Sequence, residues 1–406
     1  MKNDILAQLP TMKMGEELKE VLAVLPEYNA SIKEASPAER LMALSNIYDI
    51  YVPSEMSIEI YSKLYLAMLR SLQNKTGPRF IQQHYENYNR IKNKEHRGII
   101  GGSDSFSIIG ASGIGKSTAI GRAISVATEN TIIEVAEPHH KIIPCVICQC
   151  PHDCSVKAML LDILRNVDEI LGTNFCEKSI KAKATTDMLI GNVSTVASNH
   201  IGLLVIDEIE NVVNHRSGDM LVAMLTQLIN NAGIGTCFVG TPETELFFEQ
   251  TTYLARRAIG LHYETMPYGN CFKQFCETVY NYQYTKKADP FSEGLAMWLY
   301  NHSNGIPALV IGLLHDVQEM VIINGSETIN IAALEELYQK QYSMIKKQKP
   351  IKLAQPKVEA FKVSEVTELV PDSDFSIIEV AERFKGKSVD PVAELSKYFS
   401  ILEVAI

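Results

Sequence analysis

Gly110-Ala111-Ser112-Gly113-Ile114-Gly115-Lys116-Ser117, GASGIGKS at residues 110–117, is the stretch on which the reading of this chain turns. It fits the pattern G-x-x-x-x-G-K-[ST] in full. It follows a short apolar strand, Phe106–Ile109, and precedes a helix-prone run, Thr118–Ala127. Each residue type has a physical task. Glycines at 110, 113 and 115 let backbone N–H groups close around phosphate oxygens. The helix that begins here turns its N-terminal amides toward the anion. Lys116 reaches the outer phosphates of a nucleotide, and Ser117 offers a hydroxyl to Mg2+. Thr118 completes the contact set with Ala111, Ser112 and Ile114 of the loop.

Moving outward, LLVIDEIEN at 203–211 supplies the second half of such a site. Its apolar run reads as a central strand buried on both faces. Asp207 at its end would hold Mg2+, and Glu208 would act as general base toward the attacking water. The next strand, Thr236–Val239, leads to Thr241-Pro242, where a polar side chain would sense the nucleotide. Thr241 equally suits a helix N-cap, and the two roles are compatible. Arg256 and Arg257 would place a cation on the γ-phosphate of a neighbouring copy; a solvated basic pair on a helix is the alternative.

Around these motifs the chain alternates short strands with helices. Ile142–Cys150 reads as a strand, Ser155–Leu171 as a helix, Asp219–Asn230 as a helix and Leu261–Tyr263 as a further strand. That succession predicts an α/β fold with a parallel sheet flanked by helices. Residues 1–98 read as a helical N-terminal extension, marked by a capping box at Ser36–Glu39 and an apolar stripe from Ile60 to Leu72. The nucleotide-binding core spans 99–268 and a helical lid 269–345. The lid's helices are expected at Cys271–Tyr284, Ser292–His302, Ala308–Ile323 and Ile331–Met344. Residues 346–406 read as a linker and C-terminal tail.

Composition narrows the class further. The chain has 406 residues, 46% of them hydrophobic, enough for a sizeable core. Its net charge of -10 speaks against a uniformly basic nucleic-acid coat but leaves room for local basic surfaces. No stretch of about eighteen consecutive apolar residues suggests a membrane span, and the start lacks a signal-peptide pattern, so a cytoplasmic protein is expected. Four of the eight cysteines fall in CVICQCPHDC at 145–154. Strand alternation would send Cys148 and Cys150 to one face and Cys145 to the other, which favours buried core thiols over a zinc site.

The order of strand, phosphate loop, acidic strand, Thr sensor, arginine pair and helical lid resembles the AAA+ ATPases. More narrowly, GASGIGKST, CPHDCSVKAMLLDIL (150–164), LLVIDEIEN, FVGTPE (238–243) and Arg256-Arg257 resemble the TnsC/TniB-type regulators of DNA transposition. The resemblance implies an AAA+ P-loop NTPase that uses ATP and Mg2+ and assembles as a homo-oligomeric ring or filament on duplex DNA. It would grip the DNA backbone without sequence preference and link a target-selection protein to the transposase. Lys157, Lys178, Lys181 and Lys183 are the candidate DNA contacts; the last three lie in a loop-to-helix segment and equally suit a solvated helix face. One departure stands out. The lid region that often carries a second-sensor arginine reads Ser303-Asn304-Gly305-Ile306-Pro307 here. A signalling NTPase switch and a helicase-loader-like ATPase are the alternative functions with the same phosphate motifs.

Overall fold

The computed structural model describes residues 5–76, 105–135, 140–212, 218–245 and 260–342. The chain opens with α1 (Gly15–Leu22), α2 (Pro37–Leu44) and the long α3 (Glu55–Thr76). The sheet strands are β1 (Ser105–Gly110), β2 (Ile133–Val135), β3 (His140–Gln149), β4 (Ile201–Asp207), β5 (Gly235–Gly240) and β6 (Leu261–Tyr263). Between them run α4 (Lys116–Thr128), α5 (Val156–Leu171), α6 (Phe175–Lys181), α7 (Thr186–His200) and α8 (Gly218–Ala232). A helical bundle follows: α9 (Asn270–Tyr280), α10 (Glu293–Ser303), α11 (Pro307–Ile323) and α12 (Ile331–Leu337), with a small two-stranded pairing of β7 (Lys287–Ala288) and β8 (Thr328–Ile329).

The six strands lie in the order β2-β3-β4-β5-β1-β6. All pair in parallel except β2, which runs antiparallel to β3 at the edge. The fold is therefore an α/β P-loop fold with helical additions. One strand, β5, separates β1, which feeds the phosphate loop, from β4, which ends in Asp207. Both carboxyl ends open on the same edge, where ligands bind in open parallel sheets.

Alternation decides what each face of the sheet meets. Leu203 and Val205 join Phe106, Ile108, Cys145, Cys237 and Val239 on a face covered by α1, α3 and α4. Leu204 and Ile206 join Ile143, Cys148 and Phe238 on the opposite face, under α5, α7 and α8. Cys145 thus stands apart from Cys148, Cys150 and Cys154, as strand alternation requires. All eight thiols are free, and all but Cys271 are buried. Helix α5 shows why these segments are helical. Val156, Met159, Leu160, Ile163, Leu164 and Val167 form its buried stripe, Ser155 caps its start, and Gly172 ends it at φ +68.

A third cluster forms the bundle, and it includes Leu44, Ile47 and Ile50 from the N-terminal segment. That segment therefore touches both layers. Arg122 of α4 donates to the carbonyls of Leu22 (3.1 Å) and Val21 (2.8 Å) at the end of α1. On the bundle side, the buried Arg40 makes a two-pronged contact with Glu327, and Tyr28 donates to the Gln283 carbonyl at 2.6 Å. The capping box at Ser36 and Glu39 forms. Among the described residues, no single helix is long and apolar enough to cross a membrane.

Candidate functional site

The phosphate loop forms a tight turn between β1 and α4. Gly113 and Gly115 sit at φ +80 and +95, the left-handed region that residues with a Cβ avoid. Gly113 is constrained twice, because a Cβ there would stand 2.9 Å from Ile306 Cγ2. Lys116, the first residue of α4, is buried, and its ammonium group donates to the carbonyls of Gly110 (2.6 Å) and Ala111 (2.9 Å). Burial holds its pKa below the ordinary lysine value; Glu210, then Asp207 and Glu243, act in the opposite direction.

Ser117 and Asp207 meet directly. The Ser117 hydroxyl donates to Asp207 Oδ2 at 2.7 Å, although β5 lies between their strands. A hydroxyl and a carboxylate brought together at a helix start are hard oxygen donors of the kind Mg2+ takes. The other carboxylate oxygen, Asp207 Oδ1, accepts the backbone N–H of Glu208 at 2.8 Å. Glu208 itself turns left-handed, φ +58, at the exit of β4.

Thr241 follows the end of β5. Its hydroxyl is hydrogen-bonded to the Glu243 carboxylate, which lies below the ordinary range for that reason, and its carbonyl accepts the Thr244 N–H at 3.0 Å. The residue is thus engaged at the start of a helical turn, and it also stands beside the β4 exit. Arg256 and Arg257 lie outside the described residues. Lys157 is exposed on the first turn of α5, while Lys178 and Lys181 are exposed on α6. Lys183, also exposed, occupies the turn after α6 at φ +50. The expected loop-to-helix segment is therefore a short helix of its own, and Lys181 is paired there with Glu177.

Two residues gain a place that the motif reading did not assign. Asn211 stitches the β4 exit to the loop after β3. Its side chain donates to the Cys150 carbonyl (2.8 Å) and lies 3.2 Å from His152 Nδ1, and its carbonyl accepts from the Cys154 thiol at 3.2 Å. Glu210 is half-buried and accepts the Thr241 N–H, and burial raises its carboxyl above the ordinary range. The only sequence signal for either was membership of the DEIEN run.

The lid reaches the phosphate loop without an arginine. The Ala308 N–H on the first turn of α11 donates to the Gly113 carbonyl at 3.3 Å, and Ile306 packs on Gly113. Gly305, at φ +71, lets the segment entering the bundle pass. A Cβ there would lie 2.0 Å from the Met266 carbonyl oxygen, and the Met266 N–H donates to the Gly305 carbonyl at 3.0 Å.

Residues 100–264 match the family described as Bacterial TniB protein, a span that runs from just before β1 to just past β6. No curated protein matches the chain. Among solved structures, the Aeropyrum pernix ORC1 protein in complex with DNA is similar at a TM-score of 0.40 and 12% identity, over 62% of this chain and 64% of that one. The Aeropyrum pernix ORC2 protein in its ADP form is similar at 0.40 and 14%, over 62% and 65%. This chain thus spans less than two thirds of the length of either.

Proposed function

We propose that this chain, whose residues 100–264 match the family described as Bacterial TniB protein, is an ATPase that regulates DNA transposition by assembling on duplex DNA. The observation that carries the reading is the 2.7 Å contact between Ser117 and Asp207 beside the buried Lys116. It joins the two halves of a phosphate and metal site that lie far apart in sequence. Ser117 and Asp207 would hold Mg2+, which supplies charge neutralisation to the phosphates when bound. Lys116 and the amides at the start of α4 bind the phosphates. Glu208 takes a proton from the attacking water, and Thr241 orients that water. Arg256 and Arg257 act on the nucleotide of an adjoining copy, so that hydrolysis loosens the assembly.

Lys157, Lys178, Lys181 and Lys183, all exposed, serve the DNA backbone in this reading. A site that reads phosphates is indifferent to sequence and sensitive to salt. Target choice then belongs to a partner, and the ring or filament links that partner to the transposase. The test is a gel shift on random-sequence duplex DNA with and without a non-hydrolysable ATP analogue. Binding that needs the analogue and weakens steeply with salt is expected. Nucleotide uptake with no DNA binding in any nucleotide state would favour a signalling switch instead.

A further inference from the structure

The main chain of the acid pair at the end of β4 is tied into the loop that follows β3. The Asp207 carbonyl accepts the Cys150 N–H at 2.8 Å, and the Glu208 carbonyl accepts the Asn211 N–H at 3.1 Å. The Asn211 side chain closes the circuit, because its Nδ2 donates to the Cys150 carbonyl at 2.8 Å. With Nδ2 so committed, Oδ1 accepts from His152 Nδ1, 3.2 Å away. The Asn211 carbonyl accepts from the Cys154 thiol at 3.2 Å. Backbone and side chain of Asn211 are thus fully engaged, on Glu208 on one side and on Cys150, His152 and Cys154 on the other. The buried Ile209 and Val212 anchor the turn that carries Asn211. The buried Cys154, whose N–H donates to the Pro151 carbonyl at 2.9 Å, anchors the loop. Directly beyond Cys154 stand Ser155, which caps α5 through the Ala158 N–H, and the exposed Lys157 on the first turn of that helix.

We propose that Asn211 is a positioning residue that couples the nucleotide state at Asp207 and Glu208 to the start of α5, so that a bound triphosphate strengthens the hold of Lys157 on the DNA backbone. The inference rests on the ATPase and DNA readings above. One side chain carries the link. Asn211→Ala keeps the backbone bonds of Cys150 to Asp207 and of Asn211 to Glu208, and it removes the two side-chain bonds to Cys150 and His152. The loop and the acid pair are then free to shift separately. Asn211→Asp has nearly the same shape and keeps an oxygen toward His152. It sets its other oxygen against the Cys150 carbonyl, and two acceptors cannot bond.

Coupling between two binding sites is reciprocal: if a triphosphate tightens DNA binding by some factor, DNA tightens triphosphate binding by the same factor. A side chain that merely stabilised the fold would weaken DNA binding in every nucleotide state alike and leave that factor untouched. The factor therefore separates a coupling role from a structural one.

The experiment measures dissociation constants for random-sequence duplex DNA by fluorescence anisotropy on the full chain. It is run at one salt concentration, with MgADP and with a non-hydrolysable MgATP analogue, beside a fluorescent-nucleotide titration. The wild type is expected to bind DNA at least about fivefold more tightly with the analogue, the lower end of ordinary coupling between sites. In Asn211→Ala and Asn211→Asp that ratio falls toward unity, while both variants still take up the analogue and still bind DNA. A wild-type ratio in Asn211→Ala overturns the proposal, whether or not DNA binding as a whole has weakened. Loss of DNA binding with both nucleotides overturns it as well. Should the Asn211 variants not fold, His152→Ala, at an exposed position, decides. It is expected to lower the ratio, and an unchanged ratio overturns the proposal. A wild type that binds DNA equally with MgADP and with the analogue defeats this assignment alone. A wild type that takes up nucleotide but binds no DNA defeats the DNA reading, and one that takes up no nucleotide defeats the ATPase reading; this assignment falls with either.

Discussion

Glu208 occupies a backbone conformation, φ +58, that a residue with a Cβ enters at a cost of about 1–2 kcal/mol. The buried turn that follows holds it there, with the Glu208 N–H bound to Asp207 and its carbonyl to the Asn211 N–H. Strain stored at the exit of a central strand is characteristic of working sites. Glu208→Gln is expected to bind MgATP with wild-type affinity and to hydrolyse it about a hundredfold or more slowly, in keeping with the loss of a general base. Single-turnover kinetics beside a fluorescent-nucleotide titration would read both, and normal turnover in this variant would remove Glu208 from the role. Lys116, Ser117 and Asp207 were legible in the sequence because linear motifs fix their places. Glu210 and Asn211 were not, since their surroundings, the Thr241 amide and the Cys150 carbonyl, are brought to them by a turn that no short pattern encodes.

At the scale of elements, the N-terminal helices join the phosphate-loop helix to the lid. Arg40 of α2 is fully buried against Glu327, which burial alone would forbid for either charge. Arg40→Met leaves Glu327 facing the bundle without its partner. The expected loss is about 3–5 kcal/mol, seen as a lower urea midpoint; an unchanged midpoint would show that the pair does not hold the bundle. Lys75, near the end of α3, is buried and donates to the carbonyls of Ala197 and Ser198 at the end of α7. Burial lowers its pKa to about 7. The unfolded chain holds that proton up to about pH 10, so between these values it binds more protons than the folded chain, and stability rises with pH. The rise is expected in urea midpoints between pH 7 and 9 and is expected to shrink in Lys75→Met. Equal slopes in the two proteins would contradict it.

The strands around the motifs and most helices follow their apolar spacing closely, as α5 and β6 do. Helix α7 was not foreseen. Ile190, Val193, Thr195 and Val196 are β-branched, and Gly191 weakens it further, so intrinsic propensity is low. Burial of Leu189, Ile190, Val193, Val196 and Ala197 against the sheet holds it in place. The last lid helix was expected to run to Met344, yet regular α-helix ends at Leu337. A wider turn then covers Tyr338–Tyr342, where Tyr338 packs edge-on to Trp298 and His302. Aromatic packing there overrides the simple helical period.

As a whole molecule, the chain brings an anion-binding loop, an acidic strand end and a helical lid to one edge of a mostly parallel sheet. The lid touches the phosphate loop through Ile306 and the Ala308 N–H, and Leu44 of α2 packs into the core of the same bundle. In the proposed function, assembly on DNA and hand-over to a transposase would depend on this edge taking up a nucleotide first. Isothermal titration of MgATP into the purified full chain, beside Lys116→Ala, tests that requirement most directly. The account predicts one saturable site per chain in the wild type and none in the variant. No heat of binding in a folded wild type, or equal binding by Lys116→Ala, would contradict it.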